Sequence, residues 1–306
     1  MSGGLSTIKF QNLTKADKPL LDKYFRSRYY ENSHFNFTNL YMWREPYHIK
    51  WCEADDVLYM TCEWQGTLMA LQPFGAPEKM AAATKNLIDY FRAAERKLII
   101  TGIEKSYKEV LENFKAAKFT VTADRDNYDY VYLADKLISL SGRKLHSKKN
   151  HLNAFKKLYP AAEYLPITAE IIPDCLEQLD RWYEIRIADE PDDPFIGYER
   201  AAIREIFADF DYFKLKGGAI RLNDKIIAFT YGEQLNDDTA VVHVEKADPD
   251  IRGAYPAINQ GYVANTWCGM TYINREEDMG HEGLRKAKES YKPEKMIEKF
   301  NAVLSS

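Results

Sequence analysis

Residues 241–291 read VVHVEKADPDIRGAYPAINQGYVANTWCGMTYINREEDMGHEGLRKAKESY, and this stretch decides the fold. A short apolar run that ends in charge, residues 241–246, predicts a strand. A break that contains glycine follows, and then come a helical pattern at 255–267, a second strand at 271–274 and a basic helix from about residue 282. A strand that leads through a glycine turn into a helix often makes an anion site, because the first N–H groups of the helix are unpaired.

The same order of elements occurs twice along the chain: a strand, two helices, three antiparallel strands, a Gly/Pro break, and then helix, strand, helix and strand. In the second half, the three antiparallel strands are predicted at 213–222, 225–235 and 239–245, and a last strand at 296–303. Residue identity between the halves is negligible, so the repeat lies in element order alone. This order is similar to the Gcn5-related N-acyltransferase fold in tandem. We therefore predict an α+β fold with mixed sheets.

The length of 306 residues is typical of two domains. We predict a first acyltransferase-like domain at 1–140, a basic connecting helix at 141–159 and a second acyltransferase-like domain at 160–306. The resemblance to the acyltransferase fold implies a cleft where its strands splay, with the pyrophosphate of the donor at the break after the third strand. The second domain is the predicted donor site, because the equivalent break in the first, PFGAP, has no basic residue.

Bulk properties exclude several classes of protein. The net charge is −4, which gives no general case for nucleic-acid binding, and the four cysteines are scattered without a C-x-x-C pair. No nucleophile-elbow, zinc-protease, Walker A or kinase signature occurs, which disfavours serine hydrolases and nucleotide triphosphatases. The first residues, MSGGLSTIKF, lack the pattern of a signal peptide, and no apolar run is long enough for a membrane helix. We expect a cytoplasmic protein, with peripheral association at a membrane left open.

The predicted connecting helix is strongly basic. Residues 143–158 contain six Lys or Arg and no Asp or Glu. Its apolar side carries Leu152 and Phe155, and Lys148 and Lys149 are candidates for contacts with phosphate. Aromatic residues for base stacking are few, so we expect a grip on a polyanion backbone, such as tRNA, without sequence readout.

The break at Arg252-Gly253-Ala254 partly matches the phosphate signature of the acyltransferase fold, in which two small residues follow a Gln or Arg. Glycine permits close approach of the backbone, Arg252 offers a bidentate fork, and the helix dipole favours an anion. An ordinary turn with a surface arginine is the alternative. The equivalent position in the fold favours the donor-binding interpretation.

Strict alternation in the strand places His243 and Glu245 on one face, with Val242 and Val244 on the other. Glu245 is therefore a candidate general base toward an attacking amine or hydroxyl. The alternative is a structural carboxylate paired with Lys246 or Arg252.

Residues 274–278 read NREED and follow a strand end, where loops often carry sites. Adjacent carboxylates rarely converge on one metal ion, so we predict no metal site. Further on, Arg285, Lys288 and Lys292 stand at helical spacing. They predict either a solvated basic face or a grip on a polyanion such as a tRNA acceptor end.

Three segments together resemble a known family: YDYVYLADKLISLSGRKLHSKKNHLNAF, TAVVHVEKADPDIRGAYPAINQ and YINREEDMGHEGLRKAKESYKP. They are similar to the soluble catalytic domain of phosphatidylglycerol lysyltransferases, in its stand-alone relatives. The resemblance covers most of residues 120–295. Its most specific motif is Asn-Arg-x-x-Asp-x-Gly-x-x-x-Leu-Arg-x-x-Lys.

The resemblance implies transfer of an aminoacyl group from aminoacyl-tRNA to a hydroxyl of a lipid head group. The family motif positions carried onto this chain are Lys149, Asn150, Glu245, Arg252, Asn274, Arg275, Asp278, Leu284, Arg285 and Lys288. The lipid-modifying members carry an N-terminal membrane domain that this sequence does not show. A soluble amine or hydroxyl acceptor, or a peripheral lipid, is therefore expected as readily as phosphatidylglycerol.

The candidate site residues fall into three groups. The catalytic candidates are Glu245 as general base and Arg275 or Lys288 as stabiliser of the carbonyl oxyanion. The donor or phosphate candidates are Arg252, Gly253, Ala254, Lys148, Lys149 and Arg285. The candidates for the substrate cleft are His243, Asn274 and Asp278. The expected donor is aminoacyl-tRNA with no tightly bound cofactor; acetyl-CoA as donor, or a non-catalytic binding protein, are the alternatives.

Overall fold

A computed structural model describes residues 8–189 and 195–305, leaving aside the side chains of residues 188 and 189. The N-terminal stretch MSGGLSTIKF lies mostly outside these ranges. The described chain forms two compact units. One contains the residues up to Tyr128 and those from Ile297 onward, and the other contains Asp129–Met296. Within the described residues, each unit is built on one seven-stranded sheet.

The elements of the first unit are, in chain order, β1 (Gln11–Asn12), α1 (Lys18–Phe25), α2 (Phe37–Met42), β2 (Lys50–Ala54), β3 (Val57–Trp64), β4 (Thr67–Leu71), α3 (Met80–Ala93), β5 (Ile99–Ile103), α4 (Lys105–Glu112), β6 (Phe119–Ala123) and, from the far end of the chain, β14 (Phe300–Leu304). The strand order is β1-β2-β3-β4-β5-β14-β6. Neighbours are antiparallel except β4 and β5, which run parallel. Apolar residues of α3 and α4, such as Leu87, Phe91 and Leu111, pack with this sheet in one core.

The elements of the second unit are β7 (Asp129–Leu133), α5 (Ala134–Ser139), α6 (His146–Leu158), β8 (Glu163–Pro166), α7 (Ile172–Asp189), α8 (Phe195–Ala208), α9 (Phe210–Phe213), β9 (Lys216–Leu222), β10 (Lys225–Gln234), β11 (Thr239–Ala247), α10 (Ala254–Thr266), β12 (Tyr272–Asn274), α11 (Glu282–Glu289) and β13 (Lys295–Ile297). The strand order is β13-β7-β12-β11-β10-β9-β8. Here β11 and β12 run parallel. The predicted repeat of element order is confirmed.

Helix α10 is the central helix of the second unit. It packs on β9, β10 and β11 and against α5 and α6. Ala254, Ile258 and Tyr262 recur at helical spacing and are buried in the same core cluster as Leu152 and Phe155 of α6. Neighbours therefore bury much of α10, whereas Tyr255 and Asn265 are exposed.

The end of the chain differs from the sequence prediction. The single strand expected at 296–303 is two strands, β13 and β14, and they belong to different sheets. In addition, β7 pairs with β12 in the second sheet, and α6 lies within the second unit. The predicted boundaries at residues 140 and 159 therefore do not coincide with the units. Local periodicity identifies a strand but carries no signal for which sheet the strand joins.

Candidate active site

The second sheet opens along one edge of β11. Parallel pairing with β12 covers only Thr239–Val241, whereas pairing with β10 continues to Ala247. Strand β12 ends at Asn274, which pairs with Val241, so residues 242–247 of β11 have no strand partner on this side among the described residues. Glu245 lies on this unpaired part of β11.

A β-bulge at His243 changes which side chains share a face. Val242 pairs with Gly232 and Val244 pairs with Tyr231, so His243 is an extra residue in β11. A Cβ on Gly232 would lie 1.9 Å from the Val241 carbonyl oxygen, so only glycine fits opposite the bulge. Val242 packs in the α10 core, whereas Tyr231, opposite Val244, packs against α8 and α9. The predicted strict alternation is wrong here, because the bulge adds one residue.

Glu245 is the centre of a buried polar cluster. Its Oε1 accepts a hydrogen bond from Arg275 Nη2 at 2.9 Å, and its Oε2 accepts one from Asn259 Nδ2 at 2.9 Å. The side chains of Glu245 and Arg275 are only 11% and 13% exposed. The partner of Glu245 is thus Arg275, not Lys246 or Arg252. Lys246 instead pairs with Glu199.

Arg275 is held from several directions. Its guanidinium lies 4.9 Å from the ring centroid of Tyr291 and 5.7 Å from that of Tyr132. Lys288 Nζ donates a hydrogen bond to the Arg275 carbonyl oxygen. Arg275 Nη1 is buried and has no hydrogen-bond partner among the described residues. Arg275 Nη1 is therefore a hydrogen-bond donor in a fixed position beside Glu245, and it could bind a ligand atom.

Lys288 is buried and acts on the backbone of Arg275. Burial lowers the pKa of Lys288 to about 8, and the charge on Arg275 adds to the effect. The contact makes Lys288 a positioning residue and leaves Arg275 as the better candidate for oxyanion stabilisation.

His243 is bound by two carboxylates. Its Nδ1 lies 2.9 Å from Glu276 Oε1 and its Nε2 lies 3.1 Å from Glu233 Oε1, with 1% of the side chain exposed. Burial alone would lower the pKa of His243, but these two carboxylates raise it to about 9. The resulting imidazolium ties β11 to the loop that carries Arg275.

Asn274, Asp278 and Arg285 form the frame of that loop. Asn274 bonds Asp129 through Nδ2 and accepts from the Glu276 amide through Oδ1. Arg285 binds both oxygens of the fully buried Asp278. Burial would raise the pKa of Asp278, yet its bonds from Arg285, Tyr130 and the Gly280 amide lower it to about 2. These hydrogen bonds fix the conformation of the loop that carries Arg275.

The basic stripe predicted on α11 does not form one face. Arg285 is bound to Asp278, Lys288 is buried, and only Lys292 is exposed. Arg285 and Lys288 lie on α11 and are directed inward, whereas Lys292 lies beyond the end of that helix at Glu289 and has φ +57°, so the predicted helical spacing does not extend to it.

The Arg252-Gly253-Ala254 break packs against α6. Gly253 has φ +85°, and a Cβ there would lie 2.6 Å from the His151 carbonyl oxygen and 3.0 Å from Phe155 Cβ. Ala254 is buried in the core, and Arg252 is exposed. Gly253 thus permits close approach of the backbone to α6, a helix of the same unit, whereas the sequence predicted close approach to a bound phosphate. In addition, Pro256 at the third position of α10 has no N–H to offer an anion.

Helix α6 also reaches the cluster around Glu245. Lys148 is half-buried, and its Nζ lies 4.5 Å from the ring centroid of Tyr291. Burial, with the charge of Arg275, lowers the pKa of Lys148, whereas Glu245 raises it. Lys149, Lys156 and Lys157 are exposed. Helix α6 therefore carries exposed lysines on its surface and also places Lys148 beside the buried Glu245–Arg275 pair.

The corresponding opening in the first unit contains a cation that the sequence did not reveal. A pocket of about 80 Å³ is lined by residues that include Gln72 and Pro73 after β4, Ser106 of α4, and Arg28. The break itself has no basic residue, as noted, but the chain after α1 brings Arg28 beside it.

Sequence reasoning missed Asn259, Tyr132 and Tyr291. Asn259 is 1% exposed and lies among the buried apolar residues of α10. A lone amide on the buried side of a helix is a recognisable signal, because buried polar groups need partners. The two tyrosines had no local signal, since their role depends on packing around Arg275.

Among the described residues, no group of three or more His, Cys, Asp or Glu is placed so that it could hold a metal ion. No helix in residues 8–189 and 195–305 combines the length and the apolar character needed to cross a membrane.

Comparison with known proteins places the chain among relatives. The family described as "Phosphatidylglycerol lysyltransferase, C-terminal" matches residues 26–303. A crystal structure of a conserved protein of unknown function from Bacteroides thetaiotaomicron is 35% identical, covers 97% of this chain and 100% of that chain, and superposes with a TM-score of 0.90. An uncharacterised protein of Mycoplasmoides gallisepticum is 29% identical over 201 residues, which span 66% of this chain and 62% of that relative's length.

More distant structures share the fold. The C-terminal domain of a putative lysylphosphatidylglycerol synthetase from Agrobacterium fabrum is 13% identical, with a TM-score of 0.67 over 96% of this chain and 93% of that chain. FemX is 10% identical, with a TM-score of 0.64 over 97% and 98%. The predicted tandem acyltransferase-like fold and the family resemblance are both confirmed. The chain belongs to the family of phosphatidylglycerol lysyltransferase C-terminal domains.

Proposed function

We propose that this protein is an aminoacyltransferase that takes its acyl group from aminoacyl-tRNA and passes it to an amine or hydroxyl of a lipid head group or soluble molecule. Family and fold support an acyltransferase. The observation that carries the finer assignment is the Glu245–Arg275 pair on the part of β11 beyond its pairing with β12, next to Lys148 of the basic helix α6.

The proposed reaction needs no further activation, because the aminoacyl ester is already reactive. The acceptor nitrogen or oxygen attacks the ester carbonyl carbon, the carbonyl oxygen becomes an oxyanion, and the bond to the ribose oxygen then breaks. The proton of the acceptor passes to Glu245 and from there to the leaving ribose oxygen. Arg275 Nη1 donates to the oxyanion. The protein supplies mainly positioning and a preorganised charge.

The surroundings of α10 favour tRNA over CoA as the donor. Gly253 is covered by His151 and Phe155 of α6, so the backbone at the break is engaged by protein. The exposed lysines of α6 present a surface for a phosphate backbone instead. Arg252, exposed at the start of α10, is the feature that keeps a CoA-dependent acyltransferase as the second candidate.

The test is binding of mixed aminoacyl-tRNA at low salt. Reversing Lys148 and Lys149 to Glu is expected to weaken binding at least tenfold and to reduce the slope of log affinity against log salt by about 1 to 2. The matched control reverses two exposed lysines of the first unit, Lys115 and Lys118, and should leave both quantities unchanged. Absence of tRNA binding at low salt would sink the proposal. Calorimetry with acetyl-CoA gives the other arm, where binding in place of tRNA supports the second candidate.

A further inference from the structure

Two buried polar atoms flank Glu245 without a hydrogen-bond partner among the described residues. They are Asn259 Oδ1, an acceptor, and Arg275 Nη1, a donor. A buried donor or acceptor without a partner destabilises the folded protein, because it has lost its hydrogen bonds to water. Two such atoms on the two partners of one carboxylate therefore indicate a site shaped for something other than stability.

Glu245 fixes the orientation of both groups. Only the NH₂ of an asparagine side chain can donate, so the bond from Nδ2 to Glu245 Oε2 determines where Oδ1 points. The bond from Arg275 Nη2 to Glu245 Oε1 likewise fixes the plane of the guanidinium and hence the position of Nη1. Glu245 thus holds one unpaired acceptor, Asn259 Oδ1, and one unpaired donor, Arg275 Nη1, in a defined arrangement.

The chemistry of the two atoms selects a class of ligand. A group that satisfies both must offer a donor and an acceptor close together, and the negative charge of Glu245 favours a donor that is positive. An α-aminoacyl ester has this form, because its α-ammonium and its carbonyl oxygen are attached to neighbouring carbons. A simple acetyl group has only the carbonyl oxygen and would leave Asn259 Oδ1 unpaired.

We propose that Asn259 Oδ1 accepts a hydrogen bond from the α-ammonium group of the donor while Arg275 Nη1 binds the ester carbonyl oxygen, so that Asn259 makes the site specific for acyl groups with a free α-amino group. This inference rests on the proposed function and adds the recognition of the acyl group. Sites built to bind a polar group reject analogues without it strongly, because their own buried groups are then left unpaired.

The test compares two forms of the same donor with the intact protein. Total bacterial tRNA is loaded with the twenty amino acids, or with their α-N-acetylated forms, and dissociation constants are measured by filter binding against unacylated tRNA. Wild type is expected to bind the free aminoacyl form at least tenfold more tightly. Asn259→Leu should bring this ratio close to one, whereas Asn265→Leu, an exposed position on the same helix, should leave it unchanged.

The outcomes separate this inference from the proposed function. If no form of tRNA binds, both fail. If wild type binds both acylated forms equally, the inference alone fails. If the preference persists in Asn259→Leu, it comes from exclusion of the acetyl group by shape, and the role of Asn259 is overturned. Should Asn259→Leu fail to fold, Asn259→Gln keeps the amide but displaces it, and the ratio is expected to fall there too.

Discussion

Arg275 combines two functions that a lysine cannot combine. Its fork holds Glu245 with Nη2 and keeps Nη1 directed away from that bond, while the tyrosine rings and Lys288 fix its position. A lysine ammonium is a point charge without a second, fixed donor. The geometry of the site therefore depends on a guanidinium, not on positive charge alone.

Arg275→Lys is expected to lower the transfer rate about 100-fold, the usual effect of removing one oxyanion donor. The measurement is the deacylation of mixed aminoacyl-tRNA in the presence of a bacterial lipid and metabolite extract. Arg96→Lys, on the exposed surface of the first unit, is the control. Equal rates for Arg275→Lys and wild type would remove Arg275 from the reaction.

His243 makes stability depend on pH in the alkaline range. Its folded pKa of about 9 lies above the ordinary value of 6.5, so its stabilising effect is complete below pH 6.5 and is lost as the pH rises through 9. We expect wild type to exceed His243→Gln in free energy of unfolding at pH 6 by up to about 3 kcal/mol, and this advantage to shrink at pH 9.5. Urea titrations at the two values measure it.

The comparison with His243→Gln also isolates the histidine from other groups. Lys288 has a lowered pKa, so its contribution changes in the opposite direction, but it is present in both proteins and cancels in the difference. An advantage of wild type that is the same at pH 6 and pH 9.5 would contradict the assignment of a charged His243.

At the scale of the helices, Gly253 determines how closely α6 and α10 pack. Gly253 combines a left-handed φ with contact to the backbone of α6, so α6 can lie directly on the first turn of α10. This packing brings Lys148 to the Glu245 cluster. The same glycine that suggested a phosphate site in the sequence thus serves to place the basic helix.

Gly253→Ala is expected to lower the free energy of unfolding by about 1–3 kcal/mol or more, because the new Cβ would meet both strained backbone and the His151 carbonyl. Gly197→Ala is the matched control. Gly197 lies in α8 with open space around its Cβ position, and alanine there should stabilise by up to about 1 kcal/mol. Chemical denaturation of both variants is the measurement, and equal effects would exclude the packing role.

Much of the element pattern could be predicted from the sequence. The strands β9 to β11, the helices α10 and α11, and the parallel strand β12 follow from periodicity and turn residues, because these signals are local. The bulge at His243 escaped prediction, since the need for glycine at position 232 appears only when β10 and β11 are paired.

The site was predictable in its members more than in its contacts. The sequence predicts Glu245 and Arg275 as site residues, yet their mutual hydrogen bond joins residues 30 positions apart, and no local signal distinguishes it from an ion pair of Glu245 with Lys246. The resemblance to the family supplied Asn274, Asp278 and Arg285, whereas the structure shows that they bind one another or their neighbours. The contact of Asn259 with Glu245 could be recognised only from the three-dimensional structure.

For the molecule as a whole, the first unit depends on residues from the far end of the chain. Strand β14 lies between β5 and β6, and Phe300 and Ala302 are part of the core of that unit. A chain that ends after Met296 should therefore lose protection in the first unit while the second unit keeps its own. Limited proteolysis with mass mapping measures this, and a chain that ends after Ser305 is the control. Equal protection of both units in the shortened chain would contradict the prediction.

The placement of β14 also bears on how the protein is made. As the chain leaves the ribosome, the residues of the first sheet up to β6 emerge early, but the gap between β5 and β6 remains until residues 300–304 have been synthesised. Residues 129–296 of the second sheet are complete before that point. The unit that begins first is thus finished last, and in the meantime the nascent chain exposes the edge of β5, with Ile99, Ile100 and Ile103, to other unfinished chains.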